Sequence, residues 1–234
     1  MKRNGGIAGR SIAPLMVIIT LAGLSGCPTG PGTGDTRSYM LSAGVNQAVD
    51  NSALTAMVFC FEENASFPLS DASATVTVNG ESVPPSFFGY MSSSLASAPE
   101  GSDVTLHFAC DSVDITRALK MPKKPTGGSV GGPPPVHTTN PIDISWDSIL
   151  PPPHQVVVSV SGLYTASGDT YAATLPGTAT SHRIPVGTLL GGCSAKVVVS
   201  STNDYASLGA EQGLSLFSYQ VGNDAEVVFG TTTP

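Results

Sequence analysis

Apolar residues in this chain recur at every second position over short runs, with polar residues in the alternate places. In LTAMVFCFEE the residues Leu54, Ala56, Val58 and Cys60 share one phase, and in VTLHFAC so do Val104, Leu106, Phe108 and Cys110. Side chains on a strand alternate between faces, so a period of two predicts half-buried strands with one face on a core and one in water. ATVTVNGESV adds Ala74, Val76 and Val78 before meeting Asn79-Gly80. Both central residues of a type I′ turn need positive φ, which Asn and Gly tolerate best, so a hairpin is expected there. Further on, PIDISW, QVVVSV, SHRIPVGTL, AKVVVSSTN and LFSYQVGNDAEVVFG follow in order with turn residues between them, and Asn223-Asp224 is expected to turn the last hairpin. No window carries a sustained apolar pattern at helical spacing. The pattern predicts an all-β chain of antiparallel β-sandwiches.

Two stretches have no such alternation. PTGPGTGDTRS, from 28 to 38, reads as a flexible tether, and KKPTGGSVGGPPPVHTTNP, from 123 to 141, as an interdomain linker whose last residues lead into a strand. A third segment, residues 12–24, is continuously apolar and follows Lys2, Arg3 and Arg10, the layout of an export signal. A bilayer core about 30 Å thick needs roughly 20 helical residues, so this run is too short to anchor the chain, and Pro14 interrupts it. The expected organisation is a signal peptide over 1–26, a tether over 27–38, a sandwich over 39–122, a Pro/Gly linker over 123–140 and a second sandwich over 141–234.

Charge narrows the partners. Of 234 residues, 208 remain after a 26-residue signal, and they hold seven basic and seventeen acidic side chains, a net charge of −10. Lys123-Lys124 is the one adjacent basic pair after the signal. With no basic patch to neutralise phosphates, nucleic acid is excluded as a partner.

Candidate chemistry is sparse. Gly127-Gly128-Ser129-Val130-Gly131 spells G-x-S-x-G, but a nucleophile elbow needs a strand feeding a helix and a His and Asp to follow, and Ser129 sits in a Gly/Pro stretch. His107, His137, His154 and His182 have no short metal-ligand spacing to one another or to a cysteine. Asp111, Asp114, Asp204 and Asp224 lack the dense acidic ladder of a calcium loop. Glu62 and Glu63, adjacent on a strand, point to opposite faces and cannot flank one bond. No catalytic residue, metal or cofactor is expected, and the chain is read as a non-enzyme. In PPSFFGYM, Phe87, Phe88 and Tyr90 follow a diproline. Aromatics beside a rigid turn can stack on a sugar ring or anchor a protein, which makes these three the candidate ligand-binding residues; filling the core is their alternative role.

Leu24-Ser25-Gly26-Cys27 closing a charged start and a short apolar run resembles the lipobox of bacterial lipoproteins. The resemblance implies cleavage before Cys27, a diacylglycerol on its sulfur and an amide-linked chain on its new amino group, so that Cys27 anchors the protein in a membrane. Two or more acyl chains give stable anchoring at about 0.8 kcal/mol per buried methylene. In enteric bacteria an Asp after the cysteine retains such proteins at the inner membrane; Pro28 implies the outer membrane instead, facing the periplasm or the cell surface.

Residues 142–203 resemble the fibronectin type III and immunoglobulin-like group, through Trp146 as the core indole of an early strand and SHRIPVGTL before a V-x-V strand. The first region is similar to bacterial immunoglobulin-like modules through TVTVNG and VTLHF. That resemblance implies an inter-sheet disulfide between Cys60 and Cys110, closing a loop of about 50 residues and worth roughly 4 kcal/mol. Buried, reduced thiols are the alternative, and Cys193 is left as a free thiol or an intermolecular link. The function expected is a lipid-anchored envelope protein with binding or structural modules. A glycan-binding accessory of an envelope polysaccharide system, using the aromatics above, is the second reading, and a hydrolase the third.

Cys27→Ser removes the only atom to which the diacylglycerol can attach, so the variant should accumulate as uncleaved or soluble precursor on membrane fractionation. Continued sedimentation with the outer membrane and partition into detergent would show that the anchor lies elsewhere.

Overall fold

The computed structural model describes residues 39–62, 74–87, 89–110, 113–211 and 214–232, and for 208–211 the backbone alone. The signal, Cys27 and the tether lie outside the described residues. The first half of the chain forms β1 (Tyr39–Gln47), β2 (Leu54–Glu62), β3 (Thr75–Val78), β4 (Glu81–Ser82), β5 (Pro85–Ser86), β6 (Gly89–Leu95), β7 (Asp103–Cys110) and β8 (Val113–Lys120). The second half forms β9 (Ser129–Val130), β10 (Val136–His137), β11 (Ile142–Ser145), β12 (Gln155–Val160), β13 (Tyr171–Pro176), β14 (Ser181–Ile184), β15 (Ser194–Glu211) and β16 (Leu214–Thr232).

Burial alternates along β1 and β7 and through most of β2, as the period of two requires. Asn79 and Gly80 carry φ of +52° and +81° and join β3 to β4, the turn expected from their chemistry. The Asn79 side chain also accepts from the Thr105 N–H at 2.8 Å, fixing the turn against β7.

One large sheet runs β13-β12-β15-β16-β1-β2-β6-β5, with β10 also beside β16. Two smaller sheets, β4-β3-β7-β8 and β14-β11-β9, face it. The first core joins Leu41, Val45, Val58, Phe217 and Tyr219 of the large sheet to Val76, Leu106, Phe108 and Ile115 of the four-stranded one. The second joins Val156, Val158, Val197 and Phe229 to Ile144, Ile184 and Trp146. Trp146 fills the core position expected of it, its indole N–H donating to the Ala179 carbonyl at 2.8 Å.

β15 and β16, 18 and 19 residues long, make one hairpin that serves both cores. Ala195, Val197, Val199, Val227 and Phe229 pack in the second core, while Leu214, Phe217, Tyr219 and Val221 pack in the first. These residues, Leu214 apart, are all odd-numbered, so one face of the ladder covers both facing sheets. Two expectations are corrected here. Asn223 and Asp224 do not turn a hairpin; they lie mid-strand, paired with Ser201 and Ser200. The second sandwich does not hold all of 141–234, because the distal hairpin belongs to the first core, where β16 pairs with β1 in parallel from Tyr39↔Leu214 to Gln47↔Asn223. The physical reason is that the alternation of LFSYQV continues in phase through Asn223 into Val227 and Phe229, and extended Asn and Asp are tolerated when their side chains find polar surroundings.

The stretch 123–140 is likewise not a loose linker. β9 pairs with β11 and β10 with β16, while the Ser201 hydroxyl donates to the Lys123 carbonyl at 2.6 Å.

Cys60 and Cys110 are 0% and 4% exposed in the first core and stand as thiols, so the expected bridge between them is not formed. Burial, with Cys110 close by, pushes the Cys60 thiol up to about 12. A neutral thiol in an apolar core packs as a small hydrophobe and does not react as thiolate. Cys193 is also a thiol, half-buried, its sulfur 3.3 Å from the Leu190 carbonyl.

Because the hairpin is common property, the cores should unfold together. Phe217→Ala, in the first core, and Phe229→Ala, in the second, should each cost about 3–5 kcal/mol. In scanning calorimetry both should move one shared transition down by roughly 10 °C. Two transitions, with each variant shifting only its own, would show that the sandwiches fold separately.

Candidate functional site

Two concave surfaces stand out, one at the waist between the cores and one at the far end of the second sandwich. At the waist β1 ends at Gln47, and the chain after β8 runs alongside β16. Three side chains from the hairpin hold the end of β8 and that segment by their carbonyls: Asn203 donates to Lys120, the last residue of β8, at 2.8 Å, Asn223 to Pro122 at 3.1 Å and Ser201 to Lys123. The Lys124 ammonium donates to the Val49 carbonyl, and the Lys124 backbone N–H donates to Glu100 Oε1 at 3.0 Å. A groove of about 340 Å³ opens here, with Lys124, Gly128, Trp146, Glu226 and Val227 among its walls.

The glycines of the G-x-S-x-G stretch are explained by this packing. Gly127 has φ +65°, and a Cβ there would meet the Asp147 carboxylate at 2.5 Å; at Gly128 it would meet Val227 Cγ2 at 2.7 Å. Ser129 Oγ lies 2.9 Å from Ser145 Oγ, on paired strands, with no histidine bonded to it among the described residues.

Asp224 is the waist group with the most disturbed ionisation. Burial pushes its carboxyl up to about 6; the Ser200 hydroxyl across the ladder and the Lys124 charge pull against that, and Glu226 adds to it. Among the described residues, Oδ1 of Asp224 and Oδ1 of Asn223 are buried without a hydrogen-bond partner.

The far-end cleft, about 300 Å³, lies between the loop after β12 and the loop after β14, with Thr165, Asp169, Thr170, Tyr171, Val186 and Thr188 among its walls. The backbone ties the two loops together: Ala166 N–H donates to Thr188 O at 2.9 Å and Leu190 N–H to Tyr164 O at 2.8 Å. Thr165, buried, donates its hydroxyl to the Asp169 carbonyl at 2.6 Å, and Ser167 Oγ accepts from the Asp169 N–H at 3.2 Å. Burial raises the Tyr171 phenol and lowers the His182 imidazole, so both are neutral near pH 7. The phenol oxygen and His182 Nε2 share a hydrogen bond of 2.6 Å, and the rings stack with centroids 6.1 Å apart. Leu163, Val186 and Leu190 leave an exposed apolar rim.

Sequence reasoning missed this cleft, because its residues come from loops with no motif spacing; the Ser, Thr and Asp content of 165–170 was the available signal. Of the aromatics expected to bind a ligand, Phe87 and Tyr90 are not brought onto one surface. Phe87 is 86% exposed while Tyr90, at 2%, is in the first core, and Phe88 lies outside the described residues. Tyr90 thus fills the role of core residue, since the hairpin from β5 to β6 turns its side chain inward. The histidines bond locally: His107 to Asp114 at 3.2 Å, His154 to Asp204 at 3.0 Å and His137 to Thr232 at 3.1 Å. Among the described residues, no three His, Cys, Asp or Glu side chains are grouped to hold a metal. Glu63 and Asp111 lie outside the described residues, and no described helix is long and apolar enough to cross a membrane.

Native Asp224 keeps its proton up to about pH 6, whereas the unfolded chain loses it near 3.8. Between those values the native state binds more protons, so this group's contribution to stability falls as pH rises through the window. Asp224→Asn should therefore stabilise the protein at pH 7.5, by about 1–3 kcal/mol, and change little at pH 4. Melting curves across pH check this; a gap independent of pH would show that Asp224 ionises like an exposed carboxyl.

No protein-family model matches the chain, and no curated protein matches it. Among solved structures it is similar to the chicken CNTN1 FN1-FN3 domains, at 14% sequence identity and a TM-score of 0.30 over 81% of this chain and 63% of that one. The matched part is thus less than two thirds of that chain's length.

Proposed function

We propose that this chain is a lipid-anchored bacterial envelope protein whose fused sandwiches act as a stiff, non-enzymatic arm presenting a binding surface. The observation that carries this reading is the shared hairpin: the 19 residues of β16 run through both cores as one strand, about 60 Å at roughly 3.3 Å per residue. Tyr39, the first described residue after the tether, pairs with Leu214 beside the hairpin tip, while the far-end cleft lies toward Ser194 and Gly230 at the other end of the ladder. An arm held at one end through Cys27 and exposing a cleft at the other suits reach and recognition. Ser129 supports the non-enzymatic part, its hydroxyl facing another serine rather than a base. The outer membrane is the location that Pro28 favours, with an envelope protein or glycan as the partner.

The lipidated protein in proteoliposomes should sediment with the vesicles and release no product from chromogenic ester, glycoside, phosphate or peptide substrates. Turnover of any of these that is lost in Ser129→Ala would overturn the reading in favour of a hydrolase.

A further inference from the structure

We propose that the far-end cleft of the second sandwich is a saccharide-binding site for neutral, hexose-based chains. A sugar presents hydroxyls around its edge and C–H groups on its faces, so a site for it needs fixed acceptors and donors beside a small apolar surface. The cleft offers both. The Asp169 carboxylate makes no side-chain hydrogen bond or ion pair among the described residues, nor do the hydroxyls of Thr170 and Thr188, which leaves one strong acceptor and two groups that donate or accept. Tyr171 and Val186 supply carbon surface in the same walls. Tyr171 is held by its bond to His182, so its ring does not have to be ordered by the ligand.

Charge decides the class. The lining residues carry one carboxylate and no cation, and the nearby Arg183 is already committed to Asp143 through bonds of 2.7 and 3.0 Å. Phosphates and acidic sugars are therefore disfavoured and neutral ones fit. The walls are also preformed, since Thr165↔Leu189 bridges the two loops and Thr165 locks the Asp169 turn. A site built before the ligand arrives loses less freedom on binding.

This inference deepens the arm reading by naming what the exposed end holds. The test is backbone NMR of the full-length protein titrated with maltohexaose, cellohexaose and chitohexaose, each to about 10 mM, well above a millimolar Kd. At least one should shift resonances of residues 163–171 and 186–190 and saturate, and Asp169→Ala with Thr188→Ala should weaken binding about tenfold or more. Both positions are at the surface and outside either core, and the unperturbed remainder of each variant's spectrum confirms its fold. Absence of shifts with all three sugars overturns the site, as do shifts centred on Phe87 or shifts that the variants leave unchanged. Slow conversion of the added oligosaccharide to shorter products would overturn the non-enzymatic arm while leaving the site in place. Failure of the protein to sediment with vesicles would count against the anchor alone.

Discussion

The ladder between β15 and β16 runs from Ser194↔Gly230 to Leu208↔Leu216 in one register, so a single pair of strands must satisfy two facing sheets at once. A slip of one residue would turn every odd-numbered side chain outward, emptying Val197, Val227 and Phe229 from the second core and Phe217, Tyr219 and Val221 from the first. The register of each sandwich is therefore specified twice, once by its own core and once by its neighbour's. Tyr219 adds a direct tie to the facing sheet, its hydroxyl donating to the Val104 carbonyl at 3.0 Å from within the core. Burial raises its pKa, in keeping with a phenol that remains a donor.

Two cores on one ladder leave a gap between the facing sheets, and the chain fills that gap with polar side chains. Ser201, Asn203 and Asn223 replace the apolar residues that the alternation would put at those odd positions, and each bonds to a carbonyl between the last residue of β8 and Lys123. Gln47 does the same for β1, its amide bonded to the Ala98 N–H and the Asn51 carbonyl. Buried polar groups stabilise when they are satisfied and cost when they are not. The waist holds both kinds: the bonded amides, and the Asn223 and Asp224 oxygens left without partners. The junction is thus built for position, at some expense in stability.

Much of the fold was legible in residues whose signal is local. LTAMVFC and VTLHFAC became β2 and β7, Asn79-Gly80 turned β3 into β4, and QVVVSV became β12, because strand alternation and positive φ are written in a few adjacent side chains. Other strands were overlooked because Ala and Gly dilute the pattern: β1 reads YMLSAGVNQ, and its inward Tyr39, Leu41, Ala43 and Val45 alternate only once the partner strands are known. The failures were non-local. Asn-Asp is a turn signal in isolation, and only the pairing of Asn223 with Gln47 and Ser201 shows why it stays extended. The Pro/Gly stretch resembled a linker for the same reason, as nothing in its letters records that Gly127 and Gly128 let it lie against Asp147 and Val227. The far-end cleft was illegible because its walls are separated in sequence by β13 and β14, and the phase that put Phe87 and Tyr90 on opposite sides of the surface depends on a hairpin of two-residue strands.

The cleft is mechanically continuous with the ladder, which follows from a short chain of hydrogen bonds. Near the end of β16, Thr231 accepts from the Gly192 N–H at 2.9 Å and donates its own N–H to Cys193 O at 2.8 Å. The Thr231 hydroxyl donates to the Leu190 carbonyl at 2.7 Å, and the Leu190 N–H passes to Tyr164, at the edge of the loop that carries Asp169. Thr231 is 3% exposed, so these bonds are shielded from competition by water. Loops usually take their flexibility from weak attachment, and these are attached through a buried threonine to the strand that runs through both cores. Any tilt of the hairpin is therefore delivered to the cleft as a rigid displacement rather than absorbed in its loops. The orientation of the cleft is set by the same strand pairing that holds Tyr39 at the other end of the ladder.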